Sequence, residues 1–502
     1  MLRLLLPEDL RVLRNINTVA RDLFEVARGT TRQELDLLRE PTPADFVRWT
    51  KYAPRVRRVD ASAIRGSFNL SEARPLKQKQ QRQNLTEAPL LAHGLIDKLQ
   101  AHCPTPLLPN IQTLSYCEES FTMGNGALVA LPASAHFQPT LQAVSLGLAL
   151  HVDPDWHLQD LTSRLSLVAP RLEQLSFWIN MPSFSIEPYP RSQRSHSTTL
   201  RGMGISRLSC LTSFTAPHMS VALQALLCLG WLPHLRKLDI QPPMAPEHWL
   251  FNPRGRRPGF FTALEELRLT GKEGNYQDCI DLLGAITPTS LRTVSLDLRW
   301  PDNGTAEALF TDLCAALGSL PCRDTVKNIK MTVESNRHGD NIYRSPSLAP
   351  LLELHALESL VVQGGPKVIV TDAILDSMSR AWPHARIIRF AWPTPPKTYP
   401  LLARDRPRAT LAGLVSLVLR CPHLEELEVA LNMRAVPGFG GCPPVPLKNA
   451  GMCKLSVFAG DCTPHETWRR TEEIYGQLTA LRRQERDWAL DRGKTIQDLA
   501  CP

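Results

Sequence analysis

The stretch PHLRKLDI at Pro233–Ile240 decides how the rest of the chain is read. Leu238 and Ile240 are spaced by one residue, so both enter one side of an extended strand while Asp239 faces the other. Leu235, three positions before Leu238, guides the chain into that strand. The same frame of apolar, two residues, apolar, one residue, apolar returns along the whole sequence. Upstream it reads PRVRRVDA (Pro54–Ala61), PNIQTLSY (Pro109–Tyr116), PTLQAVSL (Pro139–Leu146), PRLEQLSF (Pro170–Phe177) and, more weakly, SCLTSFTA (Ser209–Ala216). Downstream it reads TALEELRL (Thr262–Leu269), TSLRTVSL (Thr289–Leu296), DTVKNIKM (Asp324–Met331) and HALESLVV (His355–Val362). PHARIIRF (Pro383–Phe390), PHLEELEV (Pro422–Val429) and AGMCKLSV (Ala450–Val457) bring the total to thirteen copies. Their first apolar positions lie 24 to 39 residues apart, apart from a 55-residue step between Val56 and Ile111.

Between many copies the apolar period changes from two to that of a helix. The spacing predicts helices over Leu223–Leu232, Tyr276–Ile286, Thr305–Leu320, Ala373–Trp382 and Leu411–Arg420. Several end just before a proline, which cannot continue a helix, and Thr305, Asp372 and Thr410 stand where N-caps belong. One strand and one helix cannot bury both of their apolar faces, so successive units must stack on one another.

Strand–helix units of this length with L-x-x-L-x-L at the strand resemble leucine-rich repeats of the helix-backed kind. That resemblance implies an α/β solenoid, with a curved parallel sheet on the concave face and helices on the convex face. The Asn or Cys that commonly follows the L-x-x-L-x-L frame is mostly missing, so an irregular array without an asparagine ladder is expected. A doubly wound α/β domain also alternates strands and helices, but thirteen near-copies exceed the strand number usual in one such sheet. Three polar insertions, Arg74–Glu87, Asn180–Ser206 and Ser335–Ser347, read as surface loops.

Composition sets outer bounds. The chain has 502 residues, 43% hydrophobic and 21% charged, which suits a folded protein and excludes wholesale disorder. No apolar run approaches the roughly 18 residues of a spanning helix, and Met1–Leu6 is too short for a secretory signal. The twelve cysteines form no C-x-x-C pair and read as reduced thiols, which points to a cytoplasmic or nuclear protein. The formal charge is +8, and the ten Lys/Arg and two acids between Val47 and Gln83 account for all of it. Residues 48–82 end in a polar stretch without aromatic residues, so a solvated loop is favoured over a nucleic-acid surface.

The ends divide the chain into 1–45, a repeat array over 46–460, and 461–502. Leu5–Ala27 carries Leu10, Leu13, Ile16, Val19, Leu23 and Val26 on one helical stripe. Pro464–Arg492 places Trp468, Ile474, Tyr475, Leu478, Leu481 and Trp488 at amphipathic spacing, as a capping helix would. Here the sequence resembles fungal F-box proteins with irregular leucine-rich repeats. VARDLFEVA (Val19–Ala27) is similar to the end of an F-box, and SRAWPHARIIRF (Ser379–Phe390), the Gly413–Leu427 run and RRQERDW (Arg482–Trp488) match habits of that group. The resemblance implies that Leu6, Pro7, Leu10, Leu13, Ile16, Val19 and Leu23 dock an Skp1-type adaptor, and that the repeats recruit a protein for ubiquitylation. LPEDL at Leu6–Leu10 matches either the opening or the middle of the box and leaves the other part missing; Ala20 and Leu23 replace the usual Cys and Trp. A plain capping helix is the alternative.

No catalytic or metal-binding motif is present: no G-x-S-x-G, no P-loop, no H-E-x-x-H and no zinc spacing. His234, His384 and His423 share one slot before a strand and are repeat positions. The expectation is a non-enzymatic, cofactor-free scaffold, monomeric outside its complex, that holds an unidentified protein target on the concave face. Residues between the two apolar strand positions, or just beyond them, supply that surface, with Trp178, Asp239, Arg268, Asp297, Lys330 and Arg389 as the candidate contacts. An enzyme with its site in the 180–206 or 335–347 loops is the alternative from another class.

Overall fold

A computed structural model describes residues 24–26, 34–37, 53–60, 90–91, 109–117, 137–149, 154–180, 199–200, 204–242, 259–271, 276–299, 306–334, 342–364, 367–390, 407–432 and 454–459. The chain divides into two compact units, Met1–Leu235 and Arg236–Pro502, so the stretch 46–460 read as one array contributes to both.

All thirteen frames are strands. In the first unit they are β1 (Arg58–Asp60), β2 (Thr113–Cys117), β3 (Ala143–Ala149), β4 (Gln174–Asn180) and β5 (Ser213–Val221). The second unit holds β6 (Lys237–Gln241), β7 (Glu266–Gly271), β8 (Thr293–Arg299), β9 (Asn328–Glu334), β10 (Ser359–Gly364), β11 (Ile387–Phe390), β12 (Glu426–Leu431) and β13 (Lys454–Ala459). Within each unit each of these thirteen repeat strands lies parallel to the next in chain order. A doubly wound sheet reverses its strand order at a switch point, and neither unit does. Strand order that only advances defines a solenoid, and the fold is α/β of the leucine-rich-repeat kind.

A repeated hydrogen-bond device sets the register. At the entry to ten of these strands two successive backbone N–H groups donate to one carbonyl of the preceding repeat. Gln142 and Ala143 donate to Gln112, Glu173 and Gln174 to Gln142, Arg292 and Thr293 to Glu265, and Glu425 and Glu426 to Arg386. Just before, an i to i+3 turn brings the first apolar residue in: Leu172 N–H donates to Ala169, Leu211 to Leu208, and Leu424 to Cys421. No regular asparagine ladder appears among the described residues. Threonine hydroxyls tie neighbouring turns instead, as from Thr140 to the Ile111 carbonyl (2.8 Å) and from Thr325 to Leu291 (2.8 Å).

The helices are α1 (Pro154–Val168), α2 (Leu223–Gly230), α3 (Tyr276–Ala285), α4 (Ala306–Gly318), α5 (Asp372–Ala381) and α6 (Leu411–Arg420). Their apolar stripes and the inward strand residues bury together: Leu175, Phe177, Leu226 and Leu229 in the first unit, Leu267, Leu269, Leu282 and Leu283 in the second. Each such side chain contributes about 1.5–3 kcal/mol before conformational entropy is counted.

Four expectations need correction. The helical stripe of Leu5–Ala27 does not reach its end, because Phe24–Val26 is a strand antiparallel to Glu34–Leu37, which pairs in turn with Leu90–Leu91. Pairing with the neighbouring segment Glu34–Leu37 overrides a local period carried by so few residues. Inside the expected loop 180–206, Thr199–Leu200 pairs with the end of β5 and Ile205–Arg207 forms a 3₁₀ turn. Gly204, at φ 96°, permits that turn to lie against α1, where a Cβ would sit 2.8 Å from the Thr162 carbonyl oxygen. Inside the expected loop 335–347, Ile342–Arg344 pairs with Lys367–Ile369, and a 3₁₀ segment over Ser345–Glu353 begins. The N-cap of α5 is Thr371, whose hydroxyl accepts from Ile374 N–H, rather than Asp372. Asp372 instead accepts from the Thr410 N–H (2.6 Å) and hydroxyl (2.7 Å), tying the entrance of α6 to α5. Thr410 caps α6 as expected. The other insertion (74–87), the part of 48–82 outside 53–60 and the terminal stretch 464–492 lie outside the described residues.

Candidate functional site

Because strand side chains alternate, each sheet presents its outward residues in rows that the register defines. In the first unit one row runs Asp60, Ser115, Ser145, Ser176, Thr215. In the second unit the matching position runs Asp239, Arg268, Ser295, Lys330, Val361, Arg389, Glu428, Ser456. Thus Asp239, Arg268, Lys330 and Arg389 share one row. Asp297 stands one row further on, between Thr270 and Thr332. Trp178 is separate from these, in the first unit, in a row with Cys117 and Gly147.

The six candidates differ in how their side chains are held. The Trp178 indole lies on Gly147: a Cβ there would come within 2.7 Å of Cζ2 and 2.8 Å of Cη2. Only a glycine lets the ring approach the sheet so closely. Arg389, half-buried, forms an ion pair with Glu426 on β12. Arg268 is 53% exposed and stands 4.0 Å from an Asp239 oxygen. Asp239 itself is buried, with 7% of its surface exposed, and burial raises its carboxyl above the ordinary range. Arg268 and Lys237 oppose that rise, while the charge of Asp297 adds to it. Lys330 is exposed, and neither it nor Asp297 makes a hydrogen bond or ion pair among the described residues.

Thr270 was not singled out by the sequence reading. It is buried on the outward side, two residues past Arg268, and its hydroxyl oxygen has no hydrogen-bond partner. The period of two would have placed it on this face; what the strand pattern does not carry is its burial.

Elsewhere, a depression of about 340 Å³ beside α2 is lined by Ser206, Gln224, Leu227, Cys228 and Trp231 among others. Cys228 is its titratable group, and burial raises that thiol against the opposing hydrogen bond of Ser206. His384 and His423 stack with ring centroids 6.3 Å apart, as equivalent positions of neighbouring repeats. Among the described residues no three His, Cys, Asp or Glu side chains gather as metal ligands, and no helix is long and apolar enough to cross a membrane. The adaptor candidates Leu6, Pro7, Leu10, Leu13, Ile16, Val19 and Leu23 lie outside the described residues.

No family model matches the chain, and neither does any curated protein. Among solved structures it is similar to an internalin of Listeria monocytogenes, at 12% identity over 74% of this chain and 86% of that one, with a TM-score of 0.31. The TLR13–ssRNA13 complex matches at 13% identity over 74% of this chain and 46% of TLR13, with a TM-score of 0.35. The plant peptide hormone receptor RGFR1 in complex with RGF2 matches at 11% identity over 63% and 43%, with a TM-score of 0.29. This chain therefore spans less than half of the latter two. Its assignment to the leucine-rich-repeat fold rests on its own strand register.

Proposed function

We propose that the chain is a non-enzymatic protein-interaction scaffold that holds a protein on the outward faces of its sheets, with Trp178, Asp239, Arg268, Asp297, Lys330 and Arg389 among the contacts. The observation that carries this reading is the unbroken register of the second unit, which sets eight outward residues in one row with a second row beside it. A surface of that kind binds through many modest contacts across an extended partner. Charge reversal at two side chains without internal partners, Lys330→Glu and Asp297→Lys, tests it. The pair of changes should abolish co-purification of the bound protein from cells and leave the melting temperature within about 2 °C of the parent. A partner retained by the double variant would place binding elsewhere.

A narrower reading is that this scaffold is the substrate receptor of an Skp1–cullin–F-box ubiquitin ligase, working in the cytoplasm or nucleus. Its support is the sequence resemblance of Val19–Ala27 and of the later repeats to that group; the strand at Phe24–Val26 weighs against it. Co-purification with and without residues 1–40 decides. An Skp1-type adaptor held only by the full chain supports the ligase link, and an adaptor held by neither leaves a scaffold without it.

A further inference from the structure

We propose that the outward face of the second unit contains a seat for one lysine side chain of the bound polypeptide, built from Asp239, Thr270 and Asp297 and covered in the free chain by the arm of Arg268. The inference rests on the protein-binding reading above and specifies the chemistry of one contact.

Two acceptors on this face lack donors. Asp239 Oδ1 and Thr270 Oγ1 are buried without a hydrogen-bond partner, although their residues keep only 7% and 6% of their surface exposed. A buried carboxylate oxygen without a donor is among the more costly unsatisfied groups a fold can retain. Asp239 stands opposite Arg268, and Thr270 stands opposite Asp297. Neighbouring strands are about 4.8 Å apart and same-face residues about 6.6 Å, so the three side chains surround one point beside β7. An ammonium carries three donors on a compact head, which matches two carboxylates and a hydroxyl.

Arg268 does not fill this role itself. At 4.0 Å from Asp239 Oδ2 its guanidinium is beyond the 2.7–2.9 Å of a charge-assisted hydrogen bond, and the side chain is half exposed. It screens the carboxylate without satisfying it, and an exposed arm of this length swings aside at little cost. Lys237 is committed to Glu266 at 3.1 Å. A bare divalent cation is disfavoured with two such cationic arms beside the carboxylates.

The test uses the full-length chain and random twelve-residue peptides displayed on phage, with selected peptides then titrated by fluorescence anisotropy. A lysine at one fixed place in the selected sequences is expected, and norleucine there should weaken binding by about tenfold or more. Asp239→Asn should cost a similar factor, Asp297→Asn less, and Arg268→Ala should tighten binding because it removes the competing arm. Arg268, a contact in the broader reading, acts at this point as the cover that the incoming lysine displaces; if it bound the peptide directly here, Arg268→Ala would weaken binding, and the seat would be wrong. Selected peptides without lysine that depend on Lys330 or Arg389 would overturn the seat and keep the face. Failure to select any peptide, or binding indifferent to every outward substitution, would remove both. Asp297→Asn and Arg268→Ala, at accessible positions, decide the matter should Asp239→Asn fail to fold.

Discussion

The two units use one backbone device and clothe it differently. The residues whose carbonyls receive the paired N–H groups are Arg57, Gln112, Gln142 and Glu173 in the first unit, followed by Thr212 at the same position. In the second they are Arg236, Glu265, Arg292, Lys327, Glu358 and Arg386, followed by Glu425. Only the second set forms a run of charges, and it pairs across repeats: Arg236–Glu265 at 3.6 Å, Lys327–Glu358 at 2.6 Å and Arg386–Glu425 at 2.6 Å. The outward row beside it follows suit, with Ser115, Ser145, Ser176 and Thr215 in the first unit and mostly charged residues in the second. The ladder draws on backbone groups, inward apolar side chains and turn threonines, so most outward side chains are left open to be selected for what they meet.

The sharpest way to break the comparison lies in the core of the second unit. Trp382 is fully buried at the end of α5, and Trp382→Ala should cost about 3–5 kcal/mol, read by chemical denaturation. Loss confined to one of two transitions would show that each unit unfolds by itself; one merged transition would join them.

Glycine substitutions come next in size. A Cβ at Gly318 would sit 2.2 Å from the Pro350 carbonyl oxygen, so Gly318→Ala should cost about 1–3 kcal/mol as α4 and the Ser345–Glu353 segment are forced apart. Gly284, in α3, has open space around it, and Gly284→Ala should stabilise by up to about 1 kcal/mol. Thermal melts of the two should move in opposite directions. In the first unit Gly147→Ala should displace the Trp178 indole and change its fluorescence relative to the parent, while the inward core stays intact.

A third experiment contrasts two carboxylates within the second unit. Asp376 is held below the ordinary carboxylate range, first by the hydrogen bond from Ser416 (2.9 Å) and then by Arg380 and Arg420. Its contribution to stability is present above the unfolded carboxyl value and is lost as pH falls through the lower folded one. Asp239 has the opposite sign: burial raises its value, so its contribution is present below the unfolded value and is lost as pH rises through the folded one. Melting curves across acid pH for Asp376→Asn and Asp239→Asn should diverge from the parent in opposite senses. At neutral pH Asp239→Asn should melt at or above it.

The smallest effect belongs to the charge run. Removing one exposed pair, as in Lys327→Ala, should cost about 0.2–1 kcal/mol and the difference should shrink in high salt. Gln142→Ala, at the equivalent first-unit position, should show no salt dependence.

The periodicity alone placed every repeat strand and five of the six helices among the described residues, and it ordered the outward residues into the rows that the register defines. It did so because the inward aliphatics and their spacing are local facts, and stacking then leaves one register available. His384 and His423 were recognisable as repeat positions for the same reason. Tertiary structure decided what period cannot encode: that Phe24–Val26 pairs as a strand, that Asp372 holds Thr410, the cap of the next helix, instead of capping its own, and that Trp178 lies down on Gly147. It also decided that Asp239 and Thr270, polar and outward by pattern, are shut away from solvent. Each of these depends on a partner outside the element itself, and the energy of a buried polar atom is set by such a partner rather than by its own residue type.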